Sequence, residues 1–209
     1  MDIVGRELLT LYPTCLFAGK VSDIALCDRL ETSIRAMQAA KDGKFGRGNF
    51  MTRDDIQGRP EMKELSDLVM KESEQVLNFL KVKRDSHYIT NMWANITDPN
   101  HRHAQHIHPN CLLSGILYVR TPKDCGHTVF ADPRPGARTL EFSYTEMTPA
   151  NMGIYRMVPE KGVMLFWPSY LPHSVERGDA DPQEDRIVAA FNVMIRGKIT
   201  LPTAHLDLK

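Results

Sequence analysis

The pattern of apolar positions changes character near residue 85 of this 209-residue chain. Before that point the spacing is helical. Ile24, Leu26, Leu30, Ile34 and Met37 make one stripe, which predicts a helix over about Asp23–Lys41 capped by Ser22. A second helix is predicted from near Pro60, where Leu65, Leu68, Val69, Val76, Leu77 and Leu80 keep the 3.6-residue period except around Ser73. The leading run LYPTCLFAGKV, Leu11–Val21, reads as extended. The segment Asp42–Arg53 holds Gly43, Gly46 and Gly48 among polar residues and reads as an exposed loop that could serve as a lid.

After Arg84 the runs are short and alternate with period two: YITNMWANI, HAQHIH, LLSGILYV, HTVFAD, GVMLFW and RIVAAFNVMI, separated by Pro, Gly, Asp and Asn. No helical stretch of crossover length lies between them, so the strands should pair antiparallel in a sandwich, jelly roll or barrel. The expectation is one mainly β domain over residues 1–209. Residues 1–85 supply an N-terminal strand and helices, and residues 86–200 supply the β core.

Basic and acidic residues balance at 26 each and the pI is near 7.1, which argues against a nucleic-acid partner. The longest apolar stretches, Val163–Trp167 and Ile187–Phe191, fall far short of the roughly 20 residues that cross a bilayer. Cys15, Cys27, Cys111 and Cys125 form no CxxC pair, so reduced thiols in a cytoplasmic setting are expected. The amphipathic helices leave a homodimer open.

Histidines concentrate in one region: His101, His103, His106, His108 and His127 stand close together. In an extended HIHP segment His106 and His108 project from one face and can reach a single ion. His173, in FWPSYLPHSV, stands where a strand end meets a turn and is a third candidate ligand. Asp132 closes HTVFADPR, held by Pro133, and is a candidate carboxylate ligand. Two histidines and one carboxylate on one face of an octahedral ion is the arrangement of non-haem Fe(II) oxygenases, and zinc accepts the same donors. Arg186 opens an alternating strand and should point inward with Val188 and Ala190, where a buried guanidinium calls for an anion such as a dicarboxylate.

The ordered blocks HIHPNCLLSGILYV, HTVFADPR, GVMLFWPSYLPHSV and RIVAAFNV resemble the 2-oxoglutarate- and Fe(II)-dependent oxygenase family. YPTCLFAGKV and MWANI extend the likeness over nearly the whole chain, and the 13 residues from His173 to Arg186 are similar to the ligand-to-arginine spacing of many members. The resemblance implies a double-stranded β-helix (jelly-roll, cupin-like) core, with Fe(II) as cofactor and 2-oxoglutarate as small-molecule co-substrate. It implies His106 as proximal iron ligand, His173 as distal ligand, Arg186 as partner of the far carboxylate of 2-oxoglutarate, and Tyr118 offering its phenol to the same carboxylate.

One departure matters. His108 stands where the family usually has an acid. Bidentate 2-oxoglutarate and oxygen leave three of six iron positions to the protein, so His106, His108, Asp132 and His173 are one too many. Either the three histidines ligate and Asp132 orients an imidazole, or Asp132 completes a two-histidine, one-carboxylate face and His108 stands outside it. Candidate pocket walls are Trp93, Leu113, Phe130, Phe166 and Phe191, and Asn95 and Asn192 are candidates to orient ligands or co-substrate.

The implied activity is a dioxygenase that hydroxylates an unidentified substrate, releasing succinate and CO2. The competing readings are a cupin-like three-histidine dioxygenase without 2-oxoglutarate, and a metal-stabilised barrel that only binds a small ligand.

Overall fold

The computed structural model describes residues 5, 7 and 9–209 apart from 100, 135, 137, 138, 141, 180, 182, 183 and 202. In chain order the elements are β1 (Phe17–Lys20), α1 (Ala25–Ala39), β2 (Gly43–Gly46), β3 (Asn49–Thr52), α2 (Lys63–Phe79), β4 (Ser86–Thr97), β5 (His103–His106), β6 (Leu113–Arg120), β7 (Thr128–Ala131), β8 (Ile154–Met157), β9 (Val163–Pro168), β10 (His173–Val175), β11 (Arg186–Leu201) and β12 (Ala204–Leu208). The larger sheet runs β1-β9-β6-β11-β4-β3-β2, with β12 also on β11, and the smaller runs β5-β10-β7-β8. These strands pair antiparallel throughout, and the two sheets form a double-stranded β-helix. No helix among the described residues is long and apolar enough to cross a membrane.

Strand alternation gives the larger sheet two apolar faces. Leu113, Leu117, Met164, Phe166, Ile187 and Phe191 belong to one buried cluster with Leu30 and Ile34 of α1 and Leu65 and Leu77 of α2. Each large aliphatic side chain buried there contributes about 1.5–3 kcal/mol. The residues of opposite parity, Ile116, Tyr118, Leu165, Trp167, Val188 and Ala190, form a second cluster with Phe130 of the smaller sheet. The helices thus back one face of the sheet and leave the other to line the β-helix interior. Leu113 and Phe166, expected as pocket walls, lie in the helix-side cluster instead.

Three local expectations are corrected. Residues 43–52 form the hairpin β2–β3, which extends the larger sheet beyond β4, in place of an open loop. Phe50 and Thr52 are buried there, and Gly43 is required because a Cβ would sit 2.2 Å from the Met51 carbonyl oxygen. In the Leu11–Val21 run only Phe17–Lys20 is strand. Ser22 does not cap α1; the Asp23 carboxylate accepts the Ala25 N–H at 3.1 Å.

Gly115 shows how tightly the sheet is packed. A Cβ there would lie 2.3 Å from the Phe191 ring and 2.5 Å from the Leu165 carbonyl oxygen. Gly115→Ala is therefore expected to cost about 1–3 kcal/mol, read as a lower urea midpoint at unchanged slope; an unshifted midpoint would contradict this packing.

Candidate active site

The smaller sheet assembles the histidines. β10 opens with His173, which is paired in register with His106 at the end of β5 and with Phe130 of β7. His108 lies just past β5 in a turn tied to the β9–β10 connection: its N–H donates to the Ser169 carbonyl oxygen at 3.1 Å, and the Cys111 thiol reaches its carbonyl oxygen at 3.5 Å. One ring nitrogen from each of His106, His108 and His173 lies within 4.8 Å of the other two.

The tautomers follow from the hydrogen bonds. His173 Nδ1 is 2.9 Å from the Leu171 carbonyl oxygen and His106 Nδ1 is 2.9 Å from that of Ala104. A carbonyl only accepts, so each Nδ1 carries the proton and each Nε2 presents a lone pair. His108 Nε2 stands 3.2 Å from His173 Nε2, a separation that calls for a shared proton or a cation between them. Three imidazole donors converging in this way fit a divalent iron or zinc ion.

Burial pushes His108 and His173 down to about 4, so both rings are neutral and ready to ligate at pH 7. His103, stacked on His106 at 4.6 Å, is lowered for the same reason. A histidine pKa lowered on folding contributes stability above its unfolded value near 6.5, lost as pH falls through the folded value. The metal-stripped protein should accordingly lose stability between pH 6.5 and about 4, on the order of 3 kcal/mol from His173 alone. A melting temperature that stays flat across that window would contradict the buried neutral rings.

The second half of the site is an anion anchor. Arg186 is 4% exposed, its Nη2 donates to Thr128 Oγ1 at 3.1 Å, its guanidinium lies 5.5 Å from the Tyr118 ring centre, and its Nε has no partner. Among the described residues no carboxylate comes within ion-pair distance of it. Burial lowers its pKa and raises that of Tyr118, yet a guanidinium stays charged. The Tyr118 hydroxyl donates to Thr128 Oγ1 at 2.7 Å. With both lone pairs of Thr128 taken, its own O–H is free to donate to an anion.

Thr128 is the residue that sequence reasoning missed. Its place depends on β7 of the smaller sheet passing over β11 of the larger, and no local pattern signals that.

Two candidates stand apart. Asp132 accepts a bidentate contact from Arg134, at 2.6 Å for the shortest pair, and lines a separate cavity with Leu140 and Phe142. It is not one of the three converging ligands. Asn192 accepts from Ser114 Oγ at 2.8 Å and donates to Asn91 at 2.9 Å, which fixes its amide in a buried network running on to Ser169.

His106, His108, His173, Arg186 and Thr128 line one chamber, walled by Trp93 and Trp167, and Phe191 of the helix-side cluster also borders it, beside Gly115, which has no side chain to cover the Phe191 ring. A larger groove of about 800 Å³ lies on the helix side of the sheet between β1, α1 and α2, and contains none of these site residues.

Residues 91–192, which hold all three histidines and Arg186, match the family model described as "Putative 2OG-Fe(II) oxygenase". No curated protein matches the chain. Among solved structures, the prolyl-4-hydroxylase of Pseudomonas putida is 13% identical, with a TM-score of 0.63 over 88% of this chain and 94% of that one. The non-haem α-ketoglutarate-dependent epimerase SnoN of nogalamycin biosynthesis is 15% identical, with a TM-score of 0.67 over 94% of this chain and 88% of its own. HygX of Streptomyces hygroscopicus, solved with nickel and 2-oxoglutarate, is 12% identical, with a TM-score of 0.59 over 87% and 83%. At these identities the likeness is one of fold.

Proposed function

Because the chain belongs to the 2OG-Fe(II) oxygenase family, whose cofactor is Fe(II) and co-substrate 2-oxoglutarate, we propose that it hydroxylates an organic substrate, with His106, His108 and His173 as the iron ligands. Arg186 and Thr128 take the far carboxylate of 2-oxoglutarate in this reading, and Tyr118, expected to offer its phenol to that carboxylate directly, instead gives its one proton to Thr128 and so turns the Thr128 O–H toward the anion. One observation carries it above the rest: a buried guanidinium without a carboxylate partner among the described residues, in the same chamber as three converging imidazoles. A three-histidine dioxygenase working without a dicarboxylate would have no use for Arg186.

The bound ferrous ion supplies the oxidising chemistry, in which O2 and 2-oxoglutarate are consumed, CO2 and succinate leave, and one oxygen atom ends on a substrate carbon. The chain does the rest. The Leu171 and Ala104 carbonyls hold the His173 and His106 rings with Nε2 turned to the metal, as outer-shell acceptors do at metal-bound histidines. Arg186 Nη2 and the Thr128 hydroxyl would fix the far carboxylate of the co-substrate, leaving its 2-oxo acid end for the metal that the three imidazoles would hold. Trp167 and Phe130, packed against His173 at 4.9 and 6.2 Å, keep water from that side of the site.

A histidine in place of the usual acid leaves the loaded centre one unit more positive, which favours anionic 2-oxoglutarate. Asp132 acts in this reading on Arg134 and the rim rather than on iron. The proposal includes a single oxygenase domain over residues 1–209 and a cytoplasmic setting, in keeping with four free cysteines. Purified protein given Fe(II), ascorbate and labelled 2-oxoglutarate should form succinate slowly without any primary substrate. No succinate across iron and ascorbate titrations would overturn the assignment.

A further inference from the structure

β11 is the floor of the chamber, and the strands on either side of it are its two banks. Val188 pairs with Tyr118 of β6 on one side and with Asn95 of β4 on the other. The Arg186 guanidinium turns to the β6 bank, where Tyr118 and Thr128 complete the anion anchor. The β4 bank has no part in that anchor. It presents Trp93, Asn95 and Thr97 on alternate positions and continues into His101 and His103 at the mouth. Trp93 lies 5.7 Å from the His108 ring, which brings this bank up to the metal ligands.

Asn95 is the distinctive member of the bank. The two asparagines that looked equivalent in the sequence part company in the structure. Asn192 is bonded through both its oxygen and its nitrogen, whereas the half-buried Asn95 amide lines the chamber with no hydrogen-bond partner among the described residues. An amide offers one acceptor and two donor hydrogens, so it pairs best with a group that both donates and accepts. Of the bank residues that line the chamber none is a carboxylate, lysine or arginine, and Arg186, which pairs in register with Thr97, is committed to the co-substrate in the oxygenase reading. A charge brought there would be desolvated without compensation.

Resting on the oxygenase reading, we infer that the β4 bank receives the primary substrate, that Asn95 is its specificity-determining contact, and that the part entering the chamber is an uncharged planar group carrying both a hydrogen-bond donor and an acceptor, laid against Trp93. Amides and lactam-like rings are the chemical class that fits. Anionic and cationic groups are rejected at this wall.

Three probes of one shape and different charge test it: benzamide, benzoate and benzamidine. Each is titrated anaerobically into the Fe(II)- and 2-oxoglutarate-loaded protein, and the visible charge-transfer band of the loaded centre is followed. Benzamide should perturb the band at lower concentration than either charged probe. Asn95→Ala should weaken benzamide about tenfold, the scale of a lost hydrogen bond, while the 2-oxoglutarate affinity stays within about twofold. Asn95→Asp should reverse the preference toward benzamidine, a gain that a merely destabilised variant would not show.

The inference is overturned if a charged probe binds better to the wild type, if Asn95→Ala leaves benzamide unaffected, or if Asn95→Ala weakens 2-oxoglutarate as Arg186→Met does, which would make Asn95 a co-substrate residue. A wild type that never develops the band refutes the oxygenase reading itself, a result distinguishable from all of these.

Discussion

His173→Ala is expected to weaken ferrous-ion binding by more than about 100-fold, leaving a two-imidazole site that fills only at high iron concentration, and to lower activity to background. Altering mere outer-shell partners of metal ligands already costs 10- to 100-fold. His173 is 6% exposed, held by the Leu171 carbonyl in the tautomer that aims Nε2 at His108, and paired in register with His106. Its loss therefore removes one of three mutually adjacent ligands. Packing should suffer less. The ring's contacts with Trp167 and Phe130 are worth about 1–3 kcal/mol, so the variant should fold. Anaerobic Fe(II) titration alongside urea unfolding separates the two effects. A folded variant that still binds iron at wild-type affinity would remove His173 from the ligand set.

Arg186→Met should have two effects of opposite sign. Breaking a buried charge pair costs about 3–5 kcal/mol, so 2-oxoglutarate affinity should fall about 150- to 5,000-fold while iron affinity is kept. In the protein free of co-substrate, however, Arg186 is a buried charge with no carboxylate partner among the described residues and an unbonded Nε. An apolar side chain of similar length relieves that desolvation, and replacing buried charges in this way is often neutral or stabilising by about 1–4 kcal/mol. The substituted protein should thus melt no lower than wild type without ligands, and gain nothing when 2-oxoglutarate is added. A variant that is destabilised but binds 2-oxoglutarate normally would make Arg186 a structural residue.

How far the sequence could be read depended on whether a feature was local. The β11 pattern is local: Arg186, Val188 and Ala190 share a parity, and the structure turns all three into the chamber. The helices were equally legible, within two residues at each end for α1, because their stripes repeat over several turns. The hairpin at 43–52 was not, since two four-residue strands interrupted by glycine carry almost no periodic signal and form only because β4 offers them an edge.

Leu113 and Phe166 failed as wall residues for a related reason. A strand buried on both faces is apolar at every position, and alternation then cannot say which parity meets the helices. The convergence of His106, His108 and His173 was visible as residue types. That Asp132 instead engages Arg134 depends on the path of the chain after β7.

X-ray absorption on the protein loaded anaerobically with Fe(II) would count what surrounds the metal. Three imidazole scatterers in wild type, falling to two when any one of His106, His108 or His173 is replaced by alanine and unchanged in Asp132→Asn, is the predicted result. Two imidazoles with a protein carboxylate that disappears in Asp132→Asn would contradict it.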